Sequence, residues 1–108
     1  MKRRKVSIRE DSWLARFAAW KLGADKVAIV VGHTIYLHNT TKAYFLTQQF
    51  WVRHELKHVA QYEQLGTMGF LWKYTVESYK NGYWENALEV EARAAERDDS
   101  LLERYDIG

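Results

Sequence analysis

Residues 47–65 read TQQFWVRHELKHVAQYEQL, and Gly66 follows them. The stretch contains neither proline nor glycine, so it predicts one continuous helix that ends at Gly66. At 3.6 residues per turn, one side of this helix carries mainly aromatic and ionisable side chains, namely Trp51, His54, Glu55, His58, Tyr62 and Leu65. A second side is aliphatic and carries Val52, Leu56, Val59 and Ala60. A helix with apolar residues on two sides is mostly buried, so we expect this segment to be the central element of the fold.

The same helix contains His54-Glu55-Leu56-Lys57-His58, an H-E-x-x-H motif. Residues four apart lie on one face of a helix, so the two imidazoles can bind a single metal ion. Glu55 lies next to the first imidazole, where its carboxylate can accept a proton from water. The motif therefore predicts a Zn²⁺ site with Glu55 as the catalytic base. The alternative is that both histidines are ordinary core or surface side chains.

A catalytic zinc ion usually has three protein ligands, and the absence of cysteine leaves a carboxylate as the natural third one. The last predicted helix offers Glu89 and Glu91. On a helical wheel Glu91 lies within an apolar stripe made of Trp84, Ala87, Leu88, Ala94, Ala95 and Leu102. A carboxylate in such a stripe is costly unless it is paired or bound to metal, so Glu91 is the predicted ligand. Glu89 is the alternative, although a capping box with Asn86 explains it equally well.

Turn residues and apolar periodicity define the other elements. We predict an N-terminal helix over residues 11–22, a β-hairpin of residues 26–31 and 34–37, a helix from residue 70 to about 82, and a last helix over residues 86–104. Asp11 or Ser12 is the expected N-cap of the first helix, and Asn86 that of the last. Gly32-His33 would form the hairpin turn. The predicted fold class is therefore α+β, with one small sheet.

Length and composition restrict the function further. A chain of 108 residues is expected to form one domain, and its formal charge is only +2. The basic run at residues 2–5 predicts that residues 1–9 are a flexible basic tail, so nucleic-acid binding is not expected. No apolar run reaches the roughly 18 residues that a membrane span needs. Residues 6–11 also lack a secretory apolar region, so a cytoplasmic location is expected.

The H-E-x-x-H motif, together with Asn86-Ala87-Leu88-Glu89-Val90-Glu91-Ala92-Arg93 downstream, resembles the gluzincin metallopeptidases, and by its brevity the minimal members called minigluzincins. The resemblance implies a minimal zincin-like domain over residues 1–108 that hydrolyses a peptide or protein substrate with zinc. Related enzymes carry a glutamate with an alanine three residues on, and both Glu89 and Glu91 satisfy this pattern. Some relatives have Glu-x-Glu-Ala with the first glutamate as ligand, which favours Glu89.

The resemblance also implies a donor for the developing oxyanion, for which Tyr79, Tyr83 and His33 are candidates by residue type. The strand at residues 34–37 is a candidate edge for aligning an extended peptide. Larger gluzincins often place an acidic residue four positions after the ligand glutamate, whereas Arg93 and Ala95 occupy those positions here. Small relatives can be inactive through self-association. The alternative function is therefore a catalytically weak or inactive metal-binding domain with a regulatory or interaction role.

Overall fold

Short strands and helices alternate along the chain in the computed structural model, which describes residues 3–108. The elements are β1 (Arg4–Arg9), α1 (Trp13–Leu22), β2 (Val27–Val31), β3 (Thr34–His38), α2 (Lys42–Thr47), α3 (Gln49–Asn81), α4 (Ala87–Ala94), α5 (Ser100–Arg104) and β4 (Tyr105–Ile107). One turn of 3₁₀-helix at Ala95–Arg97 joins α4 to α5. The predicted α+β class is confirmed. Among the described residues, none of the helices is both long and apolar enough to cross a membrane.

The four strands form one mixed sheet in the order β2-β3-β1-β4. β2 and β3 are the predicted antiparallel hairpin, and Gly32 in its turn has a φ of 62°. β1 runs parallel to both β3 and β4, with Ser7 opposite Thr34 and Arg4 opposite Tyr105. The expectation that β3 offers a free edge to a peptide is wrong, because β1 pairs with that edge.

The predicted flexible tail at residues 1–9 is wrong for Arg4–Arg9, which form β1. Residues 1 and 2 lie outside the described part of the chain. Val6 is buried and Ile8 is partly buried, while Lys5, Ser7 and Arg9 point outward. This period of two is the pattern of a strand that packs one face on a core, and the basic residues at its start concealed it.

Helices cover both faces of the hairpin. Side chains on one face pack on α1 through a small cluster of Ala15, Ala18, Ala19, Val27, Ile29 and Tyr36. Side chains on the other face enter the main core, which includes Val30, Ile35, Leu37, Phe45, Val52, Leu56 and Val59. Alternate residues of a strand point to opposite faces of the sheet, so α1 and α3 lie on opposite sides of it.

Helix α3 bends sharply at Gly66, whose φ of 76° and ψ of 162° are not helical. The predicted break at residues 66–69 is therefore confined to one residue, and the helix resumes at Thr67. The bend lets the two halves of α3 pack on each other, so the rings of Tyr62 and Phe70 stack with centroids 3.8 Å apart. It also directs the second half of α3 towards α4.

The predicted last helix over residues 86–104 is divided into α4, the 3₁₀ turn and α5. Asn86 is the N-cap as predicted, since its side chain accepts a hydrogen bond from the backbone of Leu88 at 2.9 Å. α4 ends at Ala94, and beyond the 3₁₀ turn the Asp98 carboxylate accepts hydrogen bonds from both the backbone and the hydroxyl of Ser100, at 3.0 and 2.6 Å, where α5 begins. Such local side-chain bonds compete with a continuing helix.

We predict that Gly66→Ala lowers the free energy of unfolding by about 1–3 kcal/mol, because only glycine adopts the backbone angles of Gly66 without strain. Gly69 is the matched control. It is helical, and an added Cβ would meet only the Leu65 Cβ at 3.5 Å, an ordinary contact. Gly69→Ala should therefore stabilise the protein by roughly 0.5–1 kcal/mol. Urea unfolding of both variants measures the difference, and equal effects would contradict the assigned strain.

Candidate metal centre

His54, His58 and Glu89 meet where the first half of α3 packs on α4. The Nε2 atoms of His54 and His58 lie 3.0 and 3.2 Å from the same carboxylate oxygen of Glu89, Oε1. One potential ligand atom from each of the three residues lies within 4.8 Å of the others. His58 and Glu89 are buried, and the His54 side chain is 14% exposed. The sequence prediction that the two histidines share one site agrees with this placement.

The Nδ1 atom of each imidazole already has an acceptor. Nδ1 of His54 lies 2.9 Å from a carboxylate oxygen of Glu96, and Nδ1 of His58 lies 2.8 Å from Oε1 of Gln61. The amide of Gln61 is fixed in this orientation because its nitrogen donates to the Leu88 carbonyl and to Glu91, both at 3.0 Å. Both nitrogens of each ring thus face acceptors, so a neutral ring that donates from Nδ1 turns the lone pair of its Nε2 towards Glu89.

This arrangement requires positive charge at its centre. Neutral imidazoles that donate from Nδ1 would turn two lone pairs towards the Glu89 carboxylate, and these contacts attract only if protons or a cation lie between the atoms. Burial lowers the pKa of His54, but its hydrogen bond to Glu89 and the charge of Glu55 outweigh burial and raise it to about 9. The pKa of His58 is raised for the same reasons. Two protons or one divalent cation would supply the positive charge that the contacts with Glu89 need.

Glu89 is held by a third donor, Tyr74. The Tyr74 hydroxyl donates to Oε2 of Glu89 at 2.6 Å, so both carboxylate oxygens are engaged. Burial raises the pKa of Glu89, but the hydrogen bonds from His54, His58 and Tyr74 outweigh it and lower the pKa well below the usual range. Burial and the charge of Glu89 raise the pKa of Tyr74, so this hydroxyl remains a donor. Sequence reasoning missed Tyr74, since no motif distinguishes it from the aromatic residues around it.

Glu55 is buried beside the three residues. Burial raises its pKa to about 7, and the positive charges of His58 and His54 oppose part of that rise. A carboxylate of this kind can exchange a proton near neutral pH, which is the property that a general base needs. Its placement beside the two imidazoles is the one that the motif predicts.

The structure places Glu89, and not the preferred Glu91, against the two imidazoles. Glu91 is exposed, and its carboxylate accepts a hydrogen bond from Gln61 instead of facing the imidazoles. The apolar stripe that favoured it does not exist on one helix, because Trp84 precedes α4 and Leu102 lies on α5. The capping role considered for Glu89 is not observed either. Its carboxylate faces the histidines, and the backbone N–H of Asn86, which a capping box would pair with Glu89, donates to the Tyr83 carbonyl at 3.2 Å.

The three predicted oxyanion donors occupy different places. Tyr79 is 92% exposed. His33 bonds Glu63 at 2.8 Å, and Glu63 also contacts Arg4, which places His33 in a separate polar cluster. Tyr83 is 44% exposed, and partial burial together with the negative charges of Glu89 and Glu55 raises its pKa to about 12. Of the three candidates, Tyr83 is the one whose pKa responds to the charges of this centre.

Comparisons with protein-family models, curated proteins and solved structures found no match for this chain. The assignment of the site therefore depends on its own geometry and donor set. Two imidazole nitrogens and a carboxylate oxygen form a set that fits Zn²⁺. The Glu96 carboxylate and the Gln61 amide serve as the outer hydrogen-bond partners that ligand imidazoles normally have.

We predict that Glu89→Gln lowers zinc affinity by more than about 100-fold, beyond the loss expected when an outer partner of a ligand is removed. Glu96→Gln, which weakens the acceptor for Nδ1 of His54, should lower affinity by about 10- to 100-fold. Glu91→Gln keeps an acceptor for Gln61 and should leave the affinity unchanged. Competition with a chromophoric chelator measures all three. Loss of binding in Glu91→Gln but not in Glu89→Gln would reverse the ligand assignment.

The metal-free protein should lose stability as the pH rises. The pKa of His54 is raised from 6.5 to about 9 in the folded state, so its contribution is complete below about pH 6.5 and is lost by about pH 9. The pKa of Glu55 is raised from 4.5 to about 7. Its contribution to stability is therefore lost between about pH 4.5 and 7, which adds to the fall. We expect His54 alone to contribute on the order of 3 kcal/mol.

Chemical unfolding in the presence of a chelator measures this pH dependence. Added zinc should remove the loss of stability at high pH, because the cation replaces protons and binds more tightly as they leave. Glu89→Gln is the control, since removing its charge should flatten the pH dependence. A metal-free protein that gains stability between pH 6.5 and 9 would contradict the assigned charge balance.

Proposed function

We propose that this chain is a zinc-dependent peptidase in which His54, His58 and Glu89 hold the ion and Glu55 is the general base. One observation supports this most strongly: both Nε2 atoms face one oxygen of Glu89, while each Nδ1 faces a different acceptor. Rings that donate from Nδ1 have their Nε2 lone pairs available to a cation. The likeness of the H-E-x-x-H motif and the glutamate-bearing helix to gluzincins supports the choice of a peptidase.

Zinc suits this donor set because two imidazoles and one carboxylate leave a fourth position for water. When bound, the ion supplies Lewis acidity, which lowers the pKa of water and polarises a carbonyl group. Glu96 and Gln61 fix the two rings so that their Nε2 atoms converge. Tyr74 fixes the carboxylate of Glu89 from its other oxygen. Outer partners of this kind orient ligands and raise their basicity.

The residues around the centre have distinct tasks in peptide hydrolysis. Glu55 accepts a proton from the attacking water and passes it to the leaving amine. Tyr83, whose raised pKa keeps its hydroxyl protonated, donates a hydrogen bond to the developing oxyanion. Strand β2 packs on α3 and is the end strand of the sheet over the described residues, so its edge is available to align an extended peptide.

A metal-binding domain without catalytic activity is the second candidate, and burial favours it. Glu55, His58 and Glu89 are each no more than 5% exposed. Two open surface hollows of about 520 and 570 Å³ are lined by other residues, including Tyr44 and Trp51 in one and Arg4 and His33 in the other. In this alternative the ion holds α3 and α4 together and a substrate does not reach it.

Glu55→Gln separates the two candidates. If Glu55 is the general base, the variant should keep its zinc content and lose peptide cleavage by about 100- to 10,000-fold. Glu85→Gln, a charge removal at an exposed position just before α4, is the matched control and should keep both properties. The measurements are elemental analysis and cleavage of a fluorogenic peptide library.

A wild-type protein that binds zinc but cleaves no peptide would favour the metal-binding domain. Cleavage that survives in Glu55→Gln would contradict the assigned base. A wild-type protein that binds no zinc would contradict both candidates, because each requires the cation between α3 and α4.

A further inference from the structure

Helix α1 turns its large apolar side chains to solvent. Trp13 is 78% exposed, Trp20 is 77% exposed and Phe17 is 56% exposed. We call these three residues the aromatic face of α1. The opposite side of the helix, which packs on the hairpin, consists of Ala15, Ala18 and Ala19. Contiguous exposed apolar surface of this kind marks an interaction site more often than a free surface.

Positive charges flank the aromatic face on both sides. At 100° per residue the three aromatic residues span about 60° of the helix, with Arg16 beyond one border and Lys21 beyond the other. Both basic residues are exposed, and α1 itself contains no acidic residue. Glu10 and Asp11 precede the helix. Asp25 follows it, and its carboxylate accepts a hydrogen bond from Asn39 at 2.9 Å.

We propose that the aromatic face of α1 binds the surface of an anionic lipid bilayer. Tryptophan is favoured at the boundary between headgroups and acyl chains, since its ring is apolar and its N–H remains hydrated. Arg16 and Lys21 lie where they would meet negatively charged headgroups on either side of the inserted rings. An amphipathic helix that lies in the interface plane has this distribution of apolar and basic residues.

The charges argue against a second copy of the chain as the occupant. In a twofold dimer the same surface of each protomer faces its counterpart, so Arg16 and Lys21 would meet no acidic residue of α1 from the other copy. Like charges brought together in this way oppose association. An anionic surface is complementary to both borders at once.

A second exposed apolar stripe exists on α3 and includes Met68, Leu71, Trp72 and Tyr79. Its lysines, Lys73 and Lys80, both lie on one side of the stripe at 100° per residue. This stripe therefore lacks the basic borders on both sides that α1 has. It provides Trp72, which is 74% exposed, as a matched control for the tryptophans of α1.

Bilayer binding through α1 is compatible with the proposed metal centre but does not depend on it. The aromatic face lies on the side of the sheet opposite α3, so the imidazoles would face away from the lipid. Zinc content therefore reports on one proposal and vesicle binding on the other.

The test is co-sedimentation of the protein with vesicles of equal parts phosphatidylserine and phosphatidylcholine. The wild type should bind, and binding should weaken with salt and with vesicles of phosphatidylcholine alone. The double variant Trp13→Ala, Trp20→Ala should bind more than about tenfold more weakly. Arg16→Gln and Lys21→Gln should each weaken binding by about fivefold.

These variants should fold normally, because each changes an exposed side chain and alanine is favourable in a helix. Circular dichroism checks this. Trp72→Ala should bind vesicles as well as the wild type does. The proposal is overturned if the wild type stays in the supernatant, or if Trp72→Ala weakens binding as much as the α1 variant. It is also overturned if lipid-free protein dimerises through Trp13 and Trp20 and does not sediment with vesicles.

Discussion

The balance of charge around Glu89 is the constraint on which the proposed site depends. A buried carboxylate is tolerated only when it is paired, and this one is contacted by two imidazoles and by the Tyr74 hydroxyl. Because each ring donates its other proton elsewhere, the contacts with Glu89 are favourable only with added positive charge. Protons can supply that charge up to about pH 9, the raised pKa of His54, and a divalent cation can supply it in their place. Glu89 and the two imidazoles therefore link the pH dependence of stability to the proposed binding of a metal ion.

The backbone conformation brings Tyr74 and Glu89 together. The bend at Gly66 returns the second half of α3 so that Tyr74 reaches Glu89, and Tyr74 also accepts a bond from Asn86 through its carbonyl. Asn86 in turn caps α4 and fixes where that helix begins. Glycine is needed at the bend because other residues cannot adopt its angles without strain. One backbone irregularity therefore positions both the hydrogen bond from Tyr74 and the helix that carries Glu89.

The two sides of the sheet differ in chemistry. The side covered by α3 holds the ionisable cluster within the main core, whereas α1 covers the other with alanines and leaves its aromatic rings outside. Small residues let α1 lie close to the hairpin, which places the large ones at the surface. The sheet thus separates the proposed chemistry of α3 from the proposed lipid contact of α1.

Local signals in the sequence by themselves determined the hairpin, helix α1, the first half of α3, the N-cap at Asn86 and the common face of His54 and His58. The sequence left Glu89 as the alternative to Glu91, because the helical wheel assumed one helix over residues 86–104, whereas α4 ends at Ala94. It also missed β1, whose pairing with β3 and β4 joins distant parts of the chain. Tertiary structure alone decided which carboxylate meets the imidazoles, since that depends on how α4 packs on α3 and not on spacing along the chain.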